Sequence, residues 1–123
     1  MALTLALIAH DGKKDDIVRF AQEFRDVLSR HHLVGTGTTA ELVEASTQLP
    51  VHRFKSGPFG GDVEIAAEIL QGRVAAVFFF VEPMAAHPHD PDIRTLMRIC
   101  HICDCPLATN PATAALVIRS LEG

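Results

Sequence analysis

In "KSGPFGGD", Lys55 to Asp62, a serine, three glycines and a proline lead directly into an aspartate. Ser56 and Gly57 offer a hydroxyl and an unhindered backbone, groups that suit an anion such as phosphate. Asp62 repels the same anion, so the pairing needs a chemical reason. A second anion cradle is "GTGTT", Gly35 to Thr39, where flexible amides and the hydroxyls of Thr36, Thr38 and Thr39 precede a helix start. Lys14 follows the first apolar run and supplies a point charge for the same anion. Each feature also has a plainer reading: an ordinary turn, a tight glycine loop, a solvated lysine, and for Asp62 a helix-start residue. Two cradles and a lysine together favour a phosphate site more than any one of them.

The remaining candidates are carboxylates and imidazoles, the side chains of acid–base chemistry. His10-Asp11 ends the first apolar run, either as reacting groups or as a pair capping its own turn. "HPHDPD" sets His87, His89, Asp90 and Asp92 within six residues, on a loop stiffened by Pro88 and Pro91. Metal binding is the rival chemistry. His87 and His89 cannot share a helical face, and Cys100-x-x-Cys103 is a single pair where small zinc sites usually show two. No metal is therefore expected, and Cys100 and Cys103 are read as core residues of a helix.

The elements that must position these groups alternate along the chain. Leu3 to Ala9 is a nearly continuous apolar run, as a strand covered on both faces requires. Ile17, Phe20, Ala21, Phe24, Val27 and Leu28 form one helical stripe. "HLVGT" is a second strand, followed by a helix in which Thr38 or Thr39 is the expected N-cap. "VHRF" is a third strand, and Asp62 to Gln71 a helix closed by Gly72. Ala75 to Val81 is the most apolar segment and so an interior strand. Ile93, Leu96, Met97, Cys100 and Cys103 mark a further helix, for which Asp92 suits the N-cap. "PLAT" is a last strand, and the closing helix has Asn110 as cap with Pro111 at its first position. Five βα units imply one domain, a parallel sheet with helices on both faces, and ligands at the carboxyl ends of the strands. Nearly every unusual polar residue falls on that edge.

Composition narrows the partners. The 123 residues are 48% hydrophobic, apolar for a domain with so much surface for its volume, so a homo-oligomer is expected. A net charge of −4 without a basic block argues against nucleic acid. No apolar run approaches the roughly 20 residues of a membrane span, and the start reads as a strand rather than a signal peptide. Three clustered cysteines point to free thiols in the cytoplasm.

The stretches "LALIAHDGKK", "GTGTTAELVEAS", "SGPFGGD", "PHDPD" and "PLATNPATA" resemble the methylglyoxal synthase family in order and spacing over nearly the whole chain. The resemblance implies a Rossmann-like three-layer α/β sandwich over residues 1–123, with a five-stranded, mainly parallel sheet. It implies conversion of dihydroxyacetone phosphate to methylglyoxal and inorganic phosphate, without metal or organic cofactor, in a cytoplasmic homohexamer. By the same resemblance Asp62 matches the catalytic base, His89 and Asp92 its partners, and His10 and Asp11 nearby site residues. Lys14, Thr36, Thr38, Thr39, Ser56 and Gly57 match the phosphate-holding positions, beside His10 and His89. Glu82 stands where the family usually has Asp, and Ala40 replaces a frequent Gly. In longer members an arginine from a neighbouring subunit approaches the site; Arg119 is a candidate for that contact here. The competing class is a non-catalytic effector-binding module, resembling the regulatory domain of carbamoyl phosphate synthetase. It would need the cradle but not Asp62, His89 and Asp92 together.

Overall fold

The computed structural model describes residues 2–122. Alternation in sequence becomes five parallel strands: β1 (Thr4–Ala9), β2 (His32–Thr36), β3 (Val51–Phe54), β4 (Ala76–Phe80) and β5 (Leu107–Ala108). Their order is β3-β2-β1-β4-β5, and every pairing is parallel, so the expected "mainly parallel" sheet is wholly so. The helices are α1 (Lys14–Glu23), α2 (Arg25–Leu28), α3 (Gly37–Thr47), α4 (Gly61–Leu70), α5 (Asp90–Ile102) and α6 (Pro111–Arg119).

Two cores sandwich the sheet because successive strand residues point to opposite faces. Leu5, Leu7, Phe78 and Phe80 pack with Ile17, Phe20, Val43, Ala114 and Ile118 of α1, α3 and α6. Ala6, Ile8, Val77 and Phe79 pack with Ile65, Ile69, Ile93 and Leu96 of α4 and α5. Phe78, Phe79 and Phe80 are fully buried, each worth about 1.5–3 kcal/mol of transfer free energy. That explains the unbroken apolar run of β4: a strand with neighbours on both sides and helices on both faces has no wet position.

Strand order reverses at β1, which has β2 on one side and β4 on the other. Chain connections leave in opposite directions there, opening a crevice at the carboxyl ends. Among the described residues no helix is long and apolar enough to cross a membrane.

Several local expectations change. The first helical stripe is buried as expected but is carried by two helices, broken at Phe24. The N-cap of α3 is Thr36 rather than Thr38 or Thr39, and it makes no side-chain cap bond. The N-cap of α5 is His89, which puts Asp92 inside the first turn. Cys100 is buried but Cys103 is exposed, because α5 ends at Ile102 and the stripe runs out there. Asn110 does cap α6, its side chain accepting from Thr113 N–H at 3.0 Å, with Pro111 opening the helix.

Candidate active site

The ladder between β1 and β4 continues one residue beyond Ala9, with His10 N–H donating to Phe80 O at 3.1 Å. The chain then turns sharply, and Lys13 N–H returns to His10 O at 2.8 Å. This holds His10, only 6% exposed, at the strand end. Lys14 opens α1; its ammonium donates to the Ala9 carbonyl and lies 3.6 Å from the exposed Asp11 carboxylate. Burial lowers the Lys14 pKa, and Asp11 partly opposes that.

At the end of β2, Thr36 is buried and α3 starts at once. With no side-chain cap, the first amides of α3 lack intrahelical acceptors and carry the positive end of the helix dipole. The hydroxyl of Thr39 accepts from Ala9 N–H at 3.2 Å and donates to Ala9 O at 3.3 Å. Its hydroxyl proton is thus used in tying α3 to β1, leaving its backbone amide, with Thr38 and Thr36, for the cavity.

After β3 the glycine loop makes one tight turn. Phe59 N–H and Gly61 N–H both donate to Ser56 O, at 2.9 and 3.1 Å. Gly60 closes the turn at φ +99°, a left-handed conformation that side chains resist. Gly57 serves a different end: a Cβ there would stand 2.7 Å from His89 Nε2 and 3.4 Å from Asp62 Oδ1. The loop therefore passes directly over the acid and the imidazole.

Asp62 sits in the first turn of α4 with no exposed surface. Neither carboxylate oxygen has a hydrogen-bond partner. His89 Nε2 lies 3.6 Å from Oδ2. Burial raises the Asp62 pKa; His89 opposes the shift and Asp92 adds to it. A buried carboxyl with no internal partner is costly to fold, which is the signature of a group kept for chemistry.

The loop from β4 to α5 brings the histidines. Glu82 N–H donates to His10 Nδ1 at 3.0 Å. His10 is thereby fixed with its proton on Nε2, an atom buried without a partner. Burial, followed by the neighbouring His87, His89 and Lys14, pushes the His10 pKa down to about 4. His10 is neutral at ordinary pH.

A cavity of about 380 Å3 joins these groups. His10, Asp11, Lys14, Thr36, Thr38 and Thr39 line one part; Ser56, Gly57, Asp62 and His89 line the rest. Asp92 is the exception: it is outside the lining, half-buried in α5, and joined to His89 only through the backbone, Asp92 N–H donating to His89 O at 2.9 Å, with no side-chain hydrogen bond between them among the described residues. Its charge nonetheless reaches Asp62. Arg119 lies at the far end of α6 with its guanidinium over the Phe24 ring, 5.7 Å from the centroid. Two polar lining residues, Glu82 and His87, had no site role among those the family resemblance implied, although His87 was among the acid–base candidates of the sequence. The His-Pro-His spacing was a signal for His87, since a proline between two histidines limits how far apart they can turn. A larger groove of about 620 Å3, near the amino ends of β1–β3, holds none of these residues. Among the described residues no cluster of three or more His, Cys, Asp or Glu side chains is arranged to hold a metal ion.

The arrangement unites an anion cradle, a desolvated acid and two imidazoles, the parts needed for proton transfer beside a phosphate ester. Known proteins resemble this chain over nearly its whole length. Residues 16–109 match the MGS-like domain family. A methylglyoxal synthase of Borreliella afzelii is 47% identical over 99% of the chain and 96% of its own length. One from Cupriavidus metallidurans is 53% identical over 95% of the chain and 84% of its length. An uncharacterized protein of Synechocystis sp. is 51% identical over 98% of the chain, which spans only 28% of that protein. The crystal structure of methylglyoxal synthase from Elizabethkingia anophelis superposes with a TM-score of 0.89 at 42% identity, covering 95% of this chain and 77% of the other.

Proposed function

The chain belongs to the methylglyoxal synthase family, and on that premise we propose that it converts dihydroxyacetone phosphate to methylglyoxal and inorganic phosphate with Asp62 as the base. The observation that carries the residue assignment is the Asp62 carboxylate: buried, unpartnered, and 3.6 Å from His89 in a cavity walled by a helix N-terminus. Here the acid beside the phosphate cradle finds its reason. It must reach a C–H bond one carbon from a carbonyl, in a substrate whose ester is held by the cradle.

Asp62 takes a proton from the hydroxymethyl carbon, and the electron pair moves onto the carbonyl oxygen as an enediolate. A normal aspartate is a weak base; desolvation strengthens this one. His89 donates to the developing oxyanion and then helps return the proton. His10 offers its Nε2–H as a second donor to a substrate oxygen. Asp92 and Asp11 act on this set through their charge. The enediolate pair next expels phosphate by breaking the carbon–oxygen bond of the ester. The amides at the start of α3, Ser56, Gly57 and Lys14 receive the departing charge. Expulsion requires that bond to stand perpendicular to the enediolate plane, which the cradle sets by position. The remaining enol tautomerises to methylglyoxal.

The chain works as one methylglyoxal synthase-like domain over residues 1–123, in a cytoplasmic homohexamer. Support for assembly is the apolar composition together with Phe59, Met84 and Leu116, which are 78%, 91% and 71% exposed in one subunit. Support for a reducing compartment is three unpaired cysteines. A purely effector-binding module gains nothing from an orphaned buried carboxylate, which weakens both anion binding and folding. The test is incubation with dihydroxyacetone phosphate while methylglyoxal and phosphate are followed. Equal amounts of both, undiminished by a strong chelator and abolished in Asp62→Asn, are expected. Full turnover by Asp62→Asn would remove it as the base.

A further inference from the structure

We propose that His87 is a positioning residue of this site, holding the His10 imidazole in one plane and one tautomer for the substrate. The proposal rests on the cavity being the place of proton transfer and phosphate elimination. His87 stacks on His10 with ring centroids 3.7 Å apart and planes 25° from parallel. A second constraint comes from Phe79, whose ring meets His10 edge-on at 5.1 Å. His10 is therefore in contact with both a ring of strand β4 and a ring from the loop after it.

The backbone of one residue ties the two imidazoles together. Glu82 N–H donates to His10 Nδ1 at 3.0 Å, and Glu82 C=O faces His87 Nε2 at 3.2 Å. A carbonyl only accepts, so His87 must carry its proton on Nε2. The same residue thus reads both rings: it demands a bare Nδ1 from His10 and an N–H from His87. The clip leaves His10 Nε2–H buried and without a partner, on a residue that lines the cavity. Without the stack, His10 loses the neighbour that fixes its plane and part of the cover that keeps it dry. Pro88 limits the loop's freedom, so the clip is held ready before substrate arrives.

The charged and titratable groups facing His10 are Asp11 and Lys14 beside it, Glu82, His87 and His89 from the β4–α5 loop, and Asp62 across the cavity. Burial, His87, His89 and Lys14 all disfavour a proton on His10; only Asp11 favours it. Removing His87 subtracts from the disfavouring side, so His10 takes up a proton at higher pH.

The experiment compares wild type with His87→Ala and His87→Phe, each checked for a wild-type melting curve. Histidine-labelled protein without ligand, followed by long-range nitrogen NMR, reports tautomer and titration of His10 directly. In wild type His10 stays Nε2-protonated and titrates low. In His87→Ala the tautomers mix and titration moves up in pH. In His87→Phe the ring stack survives, so the tautomer is kept while titration moves up less. With dihydroxyacetone phosphate, His87→Ala loses on the order of tenfold in kcat with KM changed far less, and Phe restores most of the loss. An unaltered His10 spectrum in His87→Ala overturns the positioning role. An altered spectrum with wild-type kcat overturns its bearing on the reaction. Inactive wild-type protein would instead sink the functional reading, while the NMR result on His10 would still stand.

Discussion

The carboxylate of Asp62 and the imidazole of His89 face each other at 3.6 Å, one fully buried and the other 10% exposed at its side chain, yet no hydrogen bond joins them. The gap is too long for a bond, so the imidazole does not satisfy the carboxylate. Asp62 is presented by the first turn of α4, His89 by the residue capping α5, and Gly57 crosses above both.

Asp62→Asn should lose turnover by about 10²–10⁴-fold, the usual worth of a positioned base. The same change should stabilise the fold. The Asp62 pKa is raised in the folded state, so its folding stability is full below the unfolded value and declines as pH rises through the folded one. An amide carries no such penalty. Thermal melts across pH should show the variant gaining on wild type toward neutral pH, by about 1–3 kcal/mol, and losing that advantage in acid.

His89→Ala should lower kcat by roughly 10²–10⁴-fold without unfolding the chain, since its side chain makes no cap bond to α5. It also removes the larger of the two imidazole influences that hold the Asp62 pKa down, His87 being the smaller. The acid limb of the residual pH–rate profile should therefore shift to higher pH. An unmoved limb would separate the two groups electrostatically.

Gly57→Ala places a methyl 2.7 Å from His89 Nε2. The imidazole must yield, and misplacement by about 1 Å costs on the order of 10²-fold in rate. Steady-state kinetics should show the loss mainly in kcat, with a melting curve close to wild type.

Inorganic phosphate should stabilise the protein and compete with substrate or shift its binding. At about 100 times its dissociation constant it would add roughly 2.7 kcal/mol, read as a rise in Tm. Lys14→Met should weaken that rise and raise KM, because it deletes the ammonium at the cradle. Equal phosphate shifts in both proteins would remove Lys14 from the anion site.

Much of this was legible along the chain. β2 and β3 coincide with "HLVGT" and "VHRF" because apolar runs bounded by turn residues are local signals. The cap of α6 was equally local, since Asn110 answers an amide three residues on. The reading of Cys103 as core failed because a stripe says where a face points, not where the helix stops. The Thr39 hydroxyl bonds to a strand thirty residues away, a partner no window around "GTGTT" contains.

From its sequence alone this chain was determined to be a parallel α/β protein with its acids, histidines and glycine loops on one strand edge, because side-chain periodicity and turn chemistry depend on near neighbours. Tertiary structure decided the strand order, the orphaned state of Asp62, the displacement of Asp92 from the cavity wall and the clip on His10. His10 and Glu82 are 72 residues apart and meet only when β1 and β4 pair. Burial and tautomer are set by what the folded chain brings together, and no local pattern carries that information.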